Sequence, residues 1–259
     1  MNSRVDRKFR EILGRGGKAF IPYLMTGHPT LDRTRQLVGI LEECGADIIE
    51  LGVPFSDPLA DGPTIQKAAQ TALAQGVALR RVIDFVSDLR KTTQIPIILM
   101  TYYNPVFKYG EERFARDAAS AGVDGIIVPD LPPDEAKDLI GHCRKNGIST
   151  IFLLAPTSTE ERIRIVTKAA RGFIYYVSMT GITGANLSMD ASIESHIAEI
   201  RKHCSTPVAV GFGVSTPEEA SAVARFADGV IVGSAIVRQA EDEDSRIRGY
   251  LMSLRNAIR

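Results

Sequence analysis

Cysteine is scarce in this chain and badly placed for joint work. Cys44, Cys143 and Cys204 are odd in number, scattered, and beside expected helices. That excludes a disulfide framework or cysteine metal site and leaves reduced, packed thiols. The histidines add no metal chemistry: His142, His196 and His203 fall on expected helices without ligand spacing, and His28 stands alone in a loop. Neither sign of charge is in excess, with 31 acidic and 31 basic residues, so no nucleic-acid surface or polyacidic tail is indicated. No apolar run approaches the ~20 residues that span a bilayer. The opening MNSRVDRKFREIL lacks the apolar centre of a signal peptide, so a soluble, cytoplasmic protein is expected. There is no GxSxG elbow, Walker loop or Cys–His catalytic signature. No linker or low-complexity segment divides the 259 residues, and a single domain over 1–259 is expected.

What the chain does have is alternation. Short apolar runs at 19–26, 47–52, 96–101, 124–130, 150–155, 173–178, 207–212 and 229–234 are nearly continuous in Ile, Val and Leu. This is the mark of strands covered on both faces, as in a parallel sheet. Helical spacing fills the intervals, as at Ala136, Leu139, Ile140 and Cys143, or Ala220, Val223, Ala224 and Ala227. Thr216-Pro217-Glu218 and Leu131-Pro132-Pro133-Asp134 read as helix starts, and Gly45, Gly122 and Gly147 as stops. Eight strands with intervening helices match a single (β/α)8 TIM barrel with an extra N-terminal helix. The rival, a doubly wound open sheet, would place a glycine-rich fingerprint after its first strand, where this chain reads TGHPT.

A barrel gives chemistry an address, the C-terminal ends of the strands and the loops after them. Glu50 stands near the end of the apolar strand DIIEL and Asp61 lies in the proline-rich loop that follows. Glu50 is either a buried acid satisfied by backbone donors or an arginine, or a proton-transfer group. Asp61 is either the cap of the next helix, a catalytic carboxylate, or both. The loop after strand 7, GFGVSTPEE, and the run VGSAIV after strand 8 offer glycine backbone and a serine hydroxyl to an anion, or are plain turns and caps. The long loop SMTGITGANLSMD at 178–190 is either a lid or a connection. Tyr102, Tyr103 and Asn104 are either pocket or core residues.

Together the stretches ELGVPFSDPLADGPTIQ (50–66), YYNP (102–105), DGIIVPDLP (124–132), GITG (181–184), GFGVS (211–215) and VGSAIV (232–237) resemble the tryptophan synthase alpha chain family. The resemblance runs nearly the whole length. It implies a lyase that cleaves indole-3-glycerol phosphate to indole and glyceraldehyde 3-phosphate by a retro-aldol step, in the last steps of L-tryptophan biosynthesis. Glu50 then matches the general acid/base and Asp61 the carboxylate at the indole nitrogen. Gly184, Gly213, Gly233 and Ser234 match phosphate contacts, and Tyr23, Tyr175, Thr183 and Phe212 match pocket and lid positions. No metal or organic cofactor is implied in this chain. A beta chain holding pyridoxal phosphate, in an alpha2beta2 heterotetramer that passes indole between subunits, is the implied partner. Two positions depart from the family: His28 replaces a common aspartate and Met179 a common arginine. A stand-alone lyase releasing free indole and a non-catalytic activator of a beta chain are the alternatives.

Overall fold

The computed structural model describes residues 3–177, 187–211 and 213–258, with the backbone alone for 187–191. All eight expected strands form: β1 (Ala19–Met25), β2 (Ile49–Gly52), β3 (Ile97–Met100), β4 (Gly125–Ile127), β5 (Ser149–Leu154), β6 (Ile174–Val177), β7 (Val208–Gly211) and β8 (Gly229–Val232). Each pairs in parallel with its sequence neighbours, and β8 returns to β1, closing the barrel. The expected extra helix is α1 (Arg4–Gly14). After it come α2 (Leu31–Glu43), α3 (Pro63–Ala74), α4 (Leu79–Leu89), α5 (Tyr103–Tyr109), α6 (Glu111–Ala121), α7 (Lys137–Lys145), α8 (Glu160–Ala169), α9 (Leu187–His203), α10 (Pro217–Ala224), α11 (Ser234–Arg238) and α12 (Asp244–Ala257).

The continuous apolar runs have the cause expected of them. Along each strand alternate residues face opposite ways. Ile21, Ile98, Ile127, Ile151 and Ile231 form one buried cluster inside the barrel, while Phe20, Leu24, Leu51 and Leu99 join a second cluster with the helices outside. Val5, Phe9 and Ile12 of α1 belong to the inner cluster, and the Phe9 ring lies 5.6 Å from that of Phe173 at the start of β6. The N-terminal helix thus closes the barrel at the strands' N-terminal ends. Burying each of its three anchors stabilises the fold by roughly 2 kcal/mol.

That closed end also gathers acids, each with partners. Asp47, Asp124 and Asp228 stand just before β2, β4 and β8 and accept the backbone N–H of Phe20, Ile97 and Val208 in the adjoining strand, each at 2.9 Å. Arg255 lies 3.2 Å from Asp47, Arg90 and Arg4 lie 2.7 and 3.0 Å from Asp124, and Arg201 lies 2.9 Å from Asp228. A buried carboxylate is tolerable on those terms.

Helix punctuation was largely readable. Thr216 caps α10 in a reciprocal box with Glu219, and Gly45, Gly122 and Gly147 take positive φ where helices end. The Leu131–Asp134 start requires correction. Glu135 and Ala136 both donate to the Pro132 carbonyl, at 3.0 and 3.1 Å, making a turn, and α7 begins only at Lys137. Each proline disfavours helical backbone at the residue before it, so two in succession delay the helix.

Candidate active site

Glu50 sits on the inner face of β2, in register with Tyr23 of β1 and Ile98 of β3. It is 1% exposed, and neither carboxylate oxygen has a hydrogen-bond partner among the described residues. The expectation of a satisfied structural acid therefore fails here, in contrast to Asp47 and Asp124 at the other end. An ion without donors in an apolar wall is costly, and the group answers by holding its proton. Burial, aided by the charge of Asp61, raises the Glu50 pKa to about 8.

Asp61 is half-buried at the mouth of the barrel. It does not cap α3: the cap is Gly62, followed by Pro63, and no side chain bonds to the helix start. What anchors this loop is Tyr102, beyond the end of β3. Its hydroxyl accepts the Ala60 N–H at 2.9 Å, and its ring lies 5.3 Å from Phe55. Burial lifts the Asp61 pKa to about 6, opposed by a hydrogen bond from Tyr102. Near neutral pH the two acids therefore divide, Glu50 protonated and Asp61 ionised, as a proton donor and a fixed negative charge must.

Both acids line a cavity of about 390 Å³ at the C-terminal ends of the strands, together with the expected Tyr23, Tyr175, Gly213, Gly233 and Ser234. Two glycines shape its walls. A Cβ on Gly52 would lie 2.0 Å from the Tyr23 hydroxyl, and one on Gly211 would lie 2.4 Å from that of Tyr175. Only a missing side chain at each place lets the rings lie against the strand. Burial, reinforced by Glu50 and for Tyr23 by Asp61, raises both tyrosine pKa values, so the hydroxyls stay protonated and can donate.

Gly213 has φ +81°, and with Val214, Gly233 and Ser234 it forms the wall built from the loops after β7 and β8. The loop beneath is held from two sides. Glu219 accepts the N–H of Ser215 and Thr216 at 2.7 and 3.1 Å, and the Tyr250 hydroxyl donates to the Ser215 carbonyl at 2.8 Å. Thr183, Gly184 and Phe212 lie outside the described residues, as does Met179. His28 is half-buried, with Nδ1 lacking a partner among the described residues and Nε2 3.8 Å from Glu241. Desolvation lowers its pKa, against the pull of Glu241 and with a push from Lys67. Among the described residues no cluster of His, Cys, Asp and Glu could hold a metal.

Sequence reasoning missed Met100, Ile65 and Arg238, which also line the cavity, and the bond from Tyr102 to the Asp61 loop. Met100 shares the inward parity of Ile98, and Arg238 follows Ser234 by one helical turn; both signals were present in the sequence.

A parallel eight-stranded barrel with two differently ionised acids at the C-terminal ends of its strands, facing a glycine-rich wall, defines an acid–base enzyme of the TIM-barrel class. The family described as tryptophan synthase alpha chain matches residues 9–257. The tryptophan synthase alpha chain of Geobacter sulfurreducens is 49% identical over 261 residues, covering 99% of each chain, and that of Thermoanaerobacter sp. is 45% identical over 237 residues, covering 92% of this chain and 90% of its own. Among solved structures, tryptophan synthase of Mycobacterium tuberculosis superposes with TM-score 0.92 at 39% identity, covering 100% of this chain and 99% of that one. Subunit alpha from Legionella pneumophila gives 0.91 at 37%, with 99% and 98% covered. The chain belongs to the tryptophan synthase alpha chain family, lyases that act on indole-3-glycerol phosphate in tryptophan biosynthesis and partner a beta chain.

Proposed function

We propose that Glu50 and Asp61 carry the retro-aldol cleavage of indole-3-glycerol phosphate between them. The observation that supports this most is the 1% exposed Glu50 carboxyl, without a hydrogen-bond partner among the described residues, on a cavity wall that Asp61 shares. Neutral Glu50 gives its proton to the ring carbon that bears the glycerol chain. That makes the ring nitrogen electron-poor, and the Asp61 carboxylate beside the N–H stabilises the developing charge. As the carbon–carbon bond breaks, its electrons return to the ring. The adjacent hydroxyl becomes the aldehyde of glyceraldehyde 3-phosphate and its proton restores Glu50. Tyr23 and Tyr175 wall the ring side, and Gly213, Gly233 and Ser234, with Gly184, receive the phosphate; Thr183 and Phe212 complete the lid and pocket.

The reaction moves protons and one carbon–carbon bond, and this reading asks no metal or organic cofactor of the chain. Its partner is a beta chain carrying pyridoxal phosphate, assembled as alpha2beta2 in the cytoplasm, to which indole passes. No helix among the described residues is long and apolar enough to cross a membrane. The test is indole release from indole-3-glycerol phosphate with and without a beta chain. Cleavage strongly stimulated by the beta chain is expected; no cleavage even in the complex would overturn the assignment, and full activity alone would favour the stand-alone lyase.

A further inference from the structure

The cavity's charges do not suit its substrate. A phosphate ester brings about two negative charges near neutral pH. Of the two acids among the described residues lining the cavity, Glu50 is neutral and Asp61 carries a negative charge, and Glu219 lies directly under the phosphate wall on the Ser215 and Thr216 amides. Backbone N–H groups offset this only in part, and two of those in the β7 loop are already taken by Glu219. Among the described residues lining the cavity, Arg238 is the one cation. It lies on α11 one turn after Ser234, is exposed, and forms no ion pair or hydrogen bond with any described residue. Its charge is felt at Tyr250, where it opposes the effect of burial, and Tyr250 holds the Ser215 carbonyl. The guanidinium therefore stands beside the loop that forms the phosphate wall, with no competing partner among the described residues to hold it elsewhere.

We propose that Arg238 is a binding residue for the substrate's phosphate, supplying the positive charge that selects a phosphorylated over an unphosphorylated indole-glycerol substrate. This rests on the reading of the cavity given above. A planar guanidinium suits a phosphate edge, with two N–H groups for two oxygens. In turning toward it, Arg238 gives up no bond to a described residue. Because the side chain is exposed, its contribution is screened by salt and modest in size.

The experiment compares the full chain with Arg238→Gln and Arg238→Lys, each checked for unchanged circular dichroism. Binding of inorganic phosphate and of glycerol 3-phosphate is followed by calorimetry at low and high salt, and cleavage is measured with a beta chain. Arg238→Gln is expected to weaken phosphate binding and raise KM about five-fold at low salt while kcat stays within about two-fold. Arg238→Lys should recover most of that loss, and the difference from the native chain should shrink as salt rises. Unchanged phosphate affinity in Arg238→Gln, or no phosphate binding by the native chain, overturns the role of Arg238. Phosphate binding that depends on Arg238 in a chain that cleaves nothing overturns the reaction assignment instead and leaves the anion site standing.

Discussion

Replacing Glu50 with glutamine should make this protein inactive and more stable, and the second effect is the more diagnostic. The unfolded chain ionises Glu50 near its ordinary pKa of 4.5, whereas the folded chain keeps the proton until about 8. Stability is therefore fully present below pH 4.5 and is lost as pH rises toward the folded value. At 1.36 kcal/mol for each pH unit, the interval from 4.5 to 7 costs the native chain on the order of 3 kcal/mol at pH 7. Glutamine has the shape of the neutral acid and no proton to lose, so Glu50→Gln escapes this cost. Its thermal midpoint should exceed the native one by about 6–12 °C at pH 7, with the gap closing toward pH 4.5. The chain contains no tryptophan, so far-ultraviolet circular dichroism across pH 4.5–8 is the suitable probe. Cleavage should be nearly abolished while phosphate-ligand binding persists. A gap that does not vary with pH would refute the claim that Glu50 is held neutral by burial, whatever happened to activity. Near-normal turnover in the variant would remove Glu50 from the chemistry.

Other expectations follow from the same geometry. The kcat/KM profile should be bell-shaped, its acid limb near 6 as Asp61 must be ionised and its alkaline limb near 8 as Glu50 must be protonated; a profile flat from pH 5 to 9 would contradict both roles. Tyr102→Phe removes a donor that favours ionised Asp61, so the acid limb should move to higher pH, and an unmoved limb would show that the tyrosine braces only the loop. Gly211→Ala places a methyl 2.4 Å from the Tyr175 hydroxyl and should lower kcat/KM about ten-fold or more through the displaced ring, measurable by steady-state indole release. Gly213→Ala forces a side chain onto φ +81° and should weaken phosphate binding in calorimetry. Asp124→Ala, at the closed end, should cost about 3 kcal/mol in denaturant unfolding and leave the kinetic constants unchanged.

How much of this was legible depends on the reach of each interaction. The strands announced themselves because burial on both faces imposes one local composition, and once eight of them closed a barrel the positions of Glu50 and Asp61 at its C-terminal mouth followed. The site's electrostatics were less accessible. Whether Glu50 was satisfied or stranded could not be read from DIIEL, since its neighbours on the inner face, Tyr23 and Ile98, come from other strands. The cap reading of Asp61 was locally sensible and gave way to Gly62 because the loop is held by Tyr102, 42 residues from Ala60. Arg238 was hidden by ordinariness: one arginine on a short helix becomes notable only when no other cation lines the described part of the cavity it borders.

The two ends of the barrel treat the same chemical group in opposite ways, and the difference separates structure from function. At the N-terminal end Asp47, Asp124 and Asp228 each receive a strand N–H and an arginine. At the other end Glu50 receives neither from any described residue. A fold able to partner three acids so consistently had the means to partner a fourth. Giving Glu50 an arginine would have lowered its pKa and left it ionised at neutral pH, unable to donate. The missing partner is thus the feature that lets a carboxylic acid serve as a proton donor near pH 7. The stability it costs there is offset by apolar burial elsewhere, including the plug of α1 at the far end of the same strands.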